Sequence, residues 1–350
     1  MSSAKNINDF DPNAAGNKNL NIFGLPFSTE GSKIVLLPVT WDVTVSFNEG
    51  TCNGPQAIFD ASFQVDLYDG FFGNFWKVGI AMAKPSNILA KGNKTLRKEA
   101  EKIIEYASQG KSIENSTEQK KRLKTINNEC SNLALTVKNE SLKYLNKNKF
   151  VGVIGGEHSV SLGLMQALSE KYSDFGVLQI DAHADLRNSF EGFQYSHASA
   201  MYNALKISEI KKLVQVGIRD YCEEEVEFIQ KSKKRISTFY DHDLKNKLYQ
   251  GITWDKICDE IINSLPANVY ISFDIDGLDP KLCPNTGTPV PGGLEFAQVN
   301  YLFEKISKSG KKIIGFDLCE VSPGKEDWDA NVGARILYKL CGLTAKSNKW

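Results

Sequence analysis

The chain has 350 residues, enough for one large α/β domain or for two smaller domains. Its 42 Lys and Arg residues balance 42 Asp and Glu residues. This neutrality argues against a protein that binds nucleic acid through a basic surface, and it gives no reason to expect a membrane surface as partner. The chain contains only four histidines, so the position of each one is informative.

The N-terminal region and the cysteines indicate where the protein works. Residues 1–32 are rich in Asn and Gly and predict an irregular extension before a single domain at 33–350. No signal peptide is recognisable, and no stretch approaches the roughly 18 apolar residues of a membrane span. The seven cysteines are scattered without a CxxC pair, which disfavours a disulfide framework and a thiolate zinc site. We therefore expect a cytoplasmic protein with reduced thiols.

Apolar runs of strand length alternate with helical patterns along the domain. In chain order they predict a strand at 34–37, a helix at 55–61, amphipathic helices at 95–108 and 116–146, a strand at 150–154, a helix at 161–171, and strands at 175–180, 213–216, 236–240, 269–273 and 312–316. Apolar strands followed by helices indicate a three-layer α/β/α domain with a mostly parallel sheet. Ligands in such domains bind beyond the carboxyl ends of the strands, so residues at these positions are the first functional candidates.

Three of the predicted strands end in residue types that bind metal ions. The segments are Gly155-Gly156-Glu157-His158, Asp181-Ala-His183-Ala-Asp185 and Asp274-Ile-Asp276. Side chains two residues apart in an extended segment point the same way. Asp181, His183 and Asp185 can therefore converge on one point, and Asp274 can do so with Asp276. Taken singly, the first segment also has a structural interpretation as a Gly-Gly turn with His158 as a core histidine. The third has one as a turn that closes the strand at Asp279-Pro280.

The charges of these segments favour a metal site. Four carboxylates at the end of a buried sheet would repel one another and raise each other's pKa values unless cations were present. Two divalent cations would neutralise them. Oxygen-rich ligands with one imidazole per ion favour Mn²⁺, with Ni²⁺, Co²⁺ or Fe²⁺ as alternatives. Two neighbouring ions also lower the pKa of a shared water, so the residues predict a binuclear metallohydrolase.

Together the three segments resemble those of the ureohydrolase superfamily, which includes arginase and agmatinase, and of its agmatinase-like subgroup that includes guanidine hydrolases. Further matching segments are Ser189-Phe-Glu-Gly192, Ser196-His197-Ala198, Val216-Gly-Ile-Arg219, Gly287-Thr-Pro289 and Asp317-Leu-Cys-Glu320. The resemblance implies an arginase-like fold, a homotrimer or homohexamer, and a pair of Mn²⁺ ions with Ni²⁺ as the alternative. The implied metal ligands are His158, Asp181, His183, Asp185, Asp274 and Asp276.

The resemblance also implies a mechanism in which a metal-bridging hydroxide attacks the guanidinium carbon of a small guanidino substrate. Asp185 would bridge the ions and hold the hydroxide. His197 would carry a proton to the leaving amine, and Glu320 would pair with the guanidinium. Arg187, just beyond Asp185, is a candidate to bind a substrate carboxylate. The fourth histidine, His242, is expected in a surface loop.

The segment Leu186-Arg-Asn-Ser-Phe-Glu-Gly192 is similar to that of agmatinases rather than to that of arginases. Agmatine is therefore the first substrate expected, with urea and an amine as products. Free guanidine and a guanidino acid are the alternatives within the family. A structural or regulatory protein with a vestigial site is disfavoured because all six implied ligands are present. A metal-dependent phosphatase would need basic residues where Glu320 lies. The roles of the extension and of the charged helical region 91–147 stay open.

Overall fold

One sheet of eight parallel strands runs through the computed structural model, which describes residues 10–350. The strands are β1 (Ile34–Val39), β2 (Ile80–Met82), β3 (Phe150–Gly155), β4 (Phe175–Ile180), β5 (Ile210–Ile218), β6 (Ile236–Tyr240), β7 (Asn268–Asp274) and β8 (Lys312–Cys319). Their order in the sheet is β2-β1-β3-β8-β7-β4-β5-β6. All seven predicted strands are present. The prediction missed β2, which has only three residues, and placed the start of β5 too late because Lys211 and Lys212 interrupt its apolar pattern.

Helices cover both faces of the sheet, as predicted. They are α1 (Gly54–Ala61), α2 (Asn87–Ser108), α3 (Thr117–Leu145), α4 (Leu162–Ser169), α5 (Ala200–Ala204), α6 (Glu223–Lys231), α7 (Asp241–Tyr249), α8 (Trp254–Asn263), α9 (Phe296–Lys308) and α10 (Trp328–Ser347). Helix α2 begins earlier than predicted because Ser86 caps it, its hydroxyl accepting the Leu89 N–H. Ser116 caps α3 in the same way. Between residues 10 and 350, no helix is both long enough and apolar enough to cross a membrane.

Alternate residues of each strand pack on opposite faces of the sheet. In β1, Ile34 and Leu36 face one hydrophobic core, which α1, α8, α9 and α10 complete. Val35 and Leu37 face the other core, to which α2, α3 and α4 contribute. Every residue of β1, β3 and β4 is buried, which explains their nearly continuous apolar sequences. The predicted three-layer α/β/α fold is confirmed.

Residues 10–32 form an irregular stretch that packs on the domain. Ile22, Phe23 and Leu25 are buried in the first core. The Asn21 side chain accepts the Met82 N–H at 2.9 Å and donates to the Met82 carbonyl at 3.3 Å, so it satisfies backbone groups of the edge strand β2. The division at residue 33 stays a prediction, and residues 1–9 of the predicted extension lie outside the described residues.

All seven cysteines lie in the described part of the chain as free thiols, and five of them are buried. Burial, together with the neighbouring Asp42 carboxylate, raises the pKa of the Cys52 thiol to about 12. Burial alone raises the pKa of Cys341. These thiols therefore stay protonated at neutral pH and are poor nucleophiles.

Asp69 connects the segment after α1 to α10. Its carboxylate accepts the N–H groups of Phe71 and Phe72 at 2.9 and 2.7 Å and pairs with the Lys339 ammonium at 2.5 Å. Burial opposes ionisation, but Lys339 and the two N–H groups outweigh it, so the pKa of Asp69 lies below its ordinary value.

We expect Asp69→Asn to lower the free energy of unfolding at neutral pH and to lose this effect in acid. A carboxylate whose pKa is lower in the folded state stabilises the fold above its unfolded pKa of about 3.9, and this contribution disappears as the pH falls through the folded pKa. Urea unfolding of both proteins from neutral pH to about pH 3 measures the difference. Asp60→Asn, at an exposed carboxylate on α1, is the control. A difference that does not change with pH would contradict the assignment.

Candidate active site

The predicted site residues meet beyond the carboxyl ends of four neighbouring strands. His158 follows β3 and Glu320 follows β8, Asp274 ends β7, and the segment 181–185 follows β4. These strands are adjacent and parallel in the order β3-β8-β7-β4, so their carboxyl ends share one edge of the sheet. The topology thus brings together residues that lie far apart in the chain.

The carboxylates and the two imidazoles form two clusters. In the first cluster, His158 Nδ1 lies 3.1 Å from Asp181 Oδ2 and 2.9 Å from Asp185 Oδ2. Asp274 Oδ2 is 3.4 Å from the same nitrogen. In the second cluster, His183 Nδ1 lies 3.1 Å from Asp276 Oδ2 and 3.7 Å from Asp181 Oδ1.

Asp181 belongs to both clusters, because its Oδ2 faces His158 and its Oδ1 faces His183. Its ligand atoms and those of His158 and Asp185 lie within 4.8 Å of one another, and the same holds for Asp181, His183 and Asp276. The resemblance implied that Asp185 bridges two ions, and that role stays a prediction. In this geometry Asp181 holds the shared position and Asp185 contacts the first cluster alone.

Hydrogen bonds behind the first cluster fix the tautomer of His158. Ser272 Oγ and Tyr270 Oη both donate to Asp317 Oδ2, at 2.8 and 2.7 Å. A hydroxyl has one hydrogen, so Ser272 Oγ accepts the N–H of His158 Nε2, 2.8 Å away. With a cation bound the ring would be neutral, and Nδ1 would then be the nitrogen that offers its lone pair to the cation. Ser272 and Asp317 are polar residues inside otherwise apolar strands, which is the sequence signal for them. Their support of His158 was not predicted.

The carboxylates and imidazoles of the clusters shift one another's pKa values. Burial and the Asp181 charge raise the pKa of Asp185 to about 7. Burial and the neighbouring carboxylates, Asp276 first, raise the pKa of Asp274 well above its ordinary range. Although burial opposes it, the carboxylates also raise the pKa values of His158 and His183. Asp181 is the exception, because contacts with both histidines outweigh burial and lower its pKa.

This donor set fits divalent cations. Each cluster offers one imidazole nitrogen and several carboxylate oxygens, a combination that suits Mn²⁺ and neighbouring transition metals. Three buried atoms lack a hydrogen-bond partner and lie in or beside the clusters: His158 Nδ1, Asp276 Oδ2 and Glu320 Oε2. A cation would give the first two a partner and would compensate the charge that otherwise favours protonation.

Glu320 presents one free carboxylate oxygen beside the clusters. Its Oε1 accepts the His158 N–H at 2.9 Å, whereas its buried Oε2 has no partner. A Cβ on Gly287 would lie 3.1 Å from Oε2, so the glycine leaves space next to this oxygen. Burial, and then the charge of Glu157, raise the pKa of Glu320 well above its ordinary value. A cationic group is the partner that this oxygen favours.

His197 lies close to Glu320 and is held by an irregular segment, residues 41–50. Its Nδ1 is 3.9 Å from Glu320 Oε1, and its Nε2 is 3.2 Å from Ser46 Oγ. Its N–H donates to Thr44 Oγ1 at 3.1 Å, and Thr44 donates in turn to the buried Glu157. Burial, reinforced by the charges of His183 and His158, lowers the pKa of His197 to about 3. The ring is therefore neutral at neutral pH.

Arg187 makes its side-chain contacts outside the clusters. Its Nε lies 3.8 Å from Glu225 Oε2, and its guanidinium lies 4.9 Å from the centre of the Phe190 ring. Its role in binding a substrate carboxylate stays a prediction. His242 is exposed as expected, but it lies in α7 rather than in a loop.

Comparisons with known proteins show the family to which the chain belongs. A model of the arginase family matches residues 32–342. N(1)-aminopropylagmatine ureohydrolase of Thermus thermophilus is 33% identical over 322 residues, which cover 92% of this chain and 93% of the relative. The structure of agmatine ureohydrolase of Thermoplasma volcanium is 25% identical, with a TM-score of 0.68 over 92% of this chain and 93% of that one. Proclavaminate amidino hydrolase of Streptomyces clavuligerus shares the fold, at 22% identity and a TM-score of 0.71 over 95% of this chain and 99% of that one. The predicted superfamily is confirmed.

We expect metal binding to divide along the two clusters. His158→Ala removes a ligand from the first cluster and His183→Ala from the second, so each variant should keep one Mn²⁺ of the two that we expect in the wild type. Asp181→Ala removes the shared ligand and should lose high-affinity binding of both. Calorimetric titration of metal-stripped protein with Mn²⁺ measures these stoichiometries. His242→Ala, at the exposed histidine, is the control. Two tightly bound ions in Asp181→Ala would contradict the shared position.

Proposed function

Because the chain belongs to the arginase family and is a hydrolase of C–N bonds in linear amidines, we propose that it hydrolyses agmatine to urea and a diamine at a pair of Mn²⁺ ions. One observation carries the proposal: two clusters with metal-ligand geometry share Asp181, and the free oxygen of Glu320 lies beside them. Bound cations supply Lewis acidity that makes water a nucleophile at neutral pH.

Glu320 binds and orients the guanidino group. The guanidinium is a planar cation that carries several N–H donors, and Oε2 is a buried acceptor without a partner. The other carboxylate oxygen accepts the His158 N–H, which fixes the side chain. Glu320 has a positive φ of 63°, so its side chain does not take the direction that a regular strand would give it. The substrate carbon is therefore held in one place relative to the clusters.

His197 moves the proton. Burial lowers its pKa and keeps the ring neutral. We assign to this neutral ring the uptake of a proton as water attacks and the delivery of that proton to the leaving amine. Ser46 Oγ, 3.2 Å from Nε2, holds the ring in position. The distance of 3.9 Å from Nδ1 to Glu320 Oε1 places the ring next to the carboxylate that we assign to the guanidinium.

An amine-bearing substrate fits this chain better than a guanidino acid. Arg187, the predicted partner of a carboxylate, already contacts Glu225 and Phe190. The Thermus and Thermoplasma relatives are named for aminopropylagmatine and agmatine, both of which carry an amine. The proposal also includes a cytoplasmic location, because the free thiols suit a reducing compartment. It includes a homotrimer or homohexamer as well, which the family resemblance implies.

Urea release from a substrate panel tests the proposal. The substrates are agmatine, N(1)-aminopropylagmatine, guanidine, arginine and 4-guanidinobutyrate, each with Mn²⁺-loaded and Ni²⁺-loaded protein. We expect the highest kcat/KM for agmatine with Mn²⁺, and a value lower by about 10- to 100-fold for 4-guanidinobutyrate, whose carboxylate lacks a free cationic partner. A maximum for guanidine with Ni²⁺ would replace agmatine as the substrate. No urea from any substrate would contradict the proposed reaction.

Two variants separate binding from chemistry in the same assay. Glu320→Gln keeps the side-chain volume but removes the charge, and we expect kcat/KM to fall by about 100-fold, the cost of losing a buried charge-assisted contact. His197→Ala should lower kcat by about 100-fold, which is within the usual contribution of a proton-transfer group. Both variants should bind as much Mn²⁺ as the wild type. An unchanged kcat in His197→Ala would remove its role in proton transfer.

A further inference from the structure

Helix α2 lies in the charged helical region to which the sequence assigned no role, and it contacts the 41–50 segment. This segment has neither helix nor strand, yet it makes two contacts with His197, through Thr44 to the backbone and through Ser46 to the ring. Irregular backbone needs other partners to hold one conformation. Two side chains of α2 provide them.

Asn93 of α2 fixes the beginning of the segment. Its Nδ2 donates to Asp42 Oδ1 at 2.8 Å, and its Oδ1 accepts the Asp42 N–H at 2.7 Å. Asp42 Oδ2 accepts the N–H groups of Gly50 and Cys52, at 3.0 and 3.2 Å. Asn93 thus binds Asp42, whose carboxylate connects the beginning of the segment to its end. Both Asn93 and Asp42 are buried.

Arg97, one turn further along α2, holds the middle of the segment. Its Nη1 donates to the carbonyl of Val45 and, at 3.4 Å, to that of Val43. Its side chain is only 12% exposed, with Glu49 and Glu101 at 3.7 and 3.4 Å from Nε. One guanidinium therefore fixes the carbonyls on both sides of Thr44, the residue that accepts the His197 N–H.

We propose that α2 acts as a positioning element for His197, with Arg97 as the positioning residue. Arg97 and Asn93 fix the 41–50 segment, and the segment fixes the imidazole beside Glu320. This inference rests on the proposed function, because it concerns proton transfer by His197. A displacement of about 1 Å in a reacting group can cost about 100-fold in rate, so loosening the segment should affect turnover more than substrate binding.

The test compares Arg97→Met with Arg122→Met. Arg122, on α3, pairs with Glu99 of α2 and with Glu118, so its loss weakens the contact between the two helices without touching the segment. In Arg97→Met we expect kcat with agmatine to fall by about 10-fold or more, KM to change by less than about threefold, and Mn²⁺ stoichiometry to stay unchanged. Arg122→Met should keep kcat within about twofold of the wild type.

Chymotrypsin provides a second readout that does not depend on activity. Phe47, in the segment, is 73% exposed, and Tyr249, far from it in sequence, is 83% exposed. Arg97→Met should accelerate cleavage after Phe47 but not after Tyr249, whereas Arg122→Met should accelerate neither. Arg97→Lys should recover part of the loss in kcat, because a single nitrogen contacts both carbonyls. If Arg97→Met does not fold, Asn93→Ser takes its place in both assays.

The positioning role is overturned if kcat of Arg97→Met stays within about twofold of the wild type, or if Arg122→Met loses as much activity. Unchanged cleavage after Phe47 would equally exclude a role of Arg97 in fixing the segment. The wild type is measured first, because a failure to release urea there would contradict the proposed function. Normal wild-type turnover combined with normal turnover in Arg97→Met contradicts only the positioning role.

Discussion

The structure depends on a concentration of buried carboxylates at one edge of a parallel sheet. Asp181, Asp185, Asp274, Asp276 and Glu320 are all nearly inaccessible to solvent, and two imidazoles face them. Burial of like charges without compensation is costly, and the raised pKa values of Asp185 and Asp274 express that cost. A bound cation would offset that cost, and the two clusters offer the ligand atoms that could hold one.

The polar side chains around the clusters hold the buried carboxylates and imidazoles in position. Gln179 donates to Asp181 Oδ2 at 2.7 Å, and Gln215 donates to Gln179 at 2.7 Å, with Thr238 on the next strand donating to Gln215. Buried amides are tolerated because each finds a partner. They fix Asp181 from β4, β5 and β6, while Ser272 and Asp317 fix His158 from β7 and β8. The shared carboxylate and the first imidazole are therefore both held before any ligand arrives.

Much of this could be predicted from the sequence, because the buried strands are nearly all apolar and the charged residues stand at their ends. The position of Asp181 in both clusters could not. Alternation along an extended segment treats Asp181, His183 and Asp185 alike, but Asp185 has a positive φ of 54° and the segment is not a strand, so its side chains do not alternate regularly. The contact of Arg97 with Val43 and Val45 has no sequence signature, since tertiary packing alone brings α2 onto the 41–50 segment.

We expect two cations to bind at this edge of the sheet and to share Asp181. Anomalous diffraction from crystals of the protein grown with Mn²⁺ tests it most directly. We expect two anomalous peaks, one contacted by His158, Asp181 and Asp185 and the other by Asp181, His183 and Asp276. A single peak, or two peaks of which only one contacts Asp181, would contradict it.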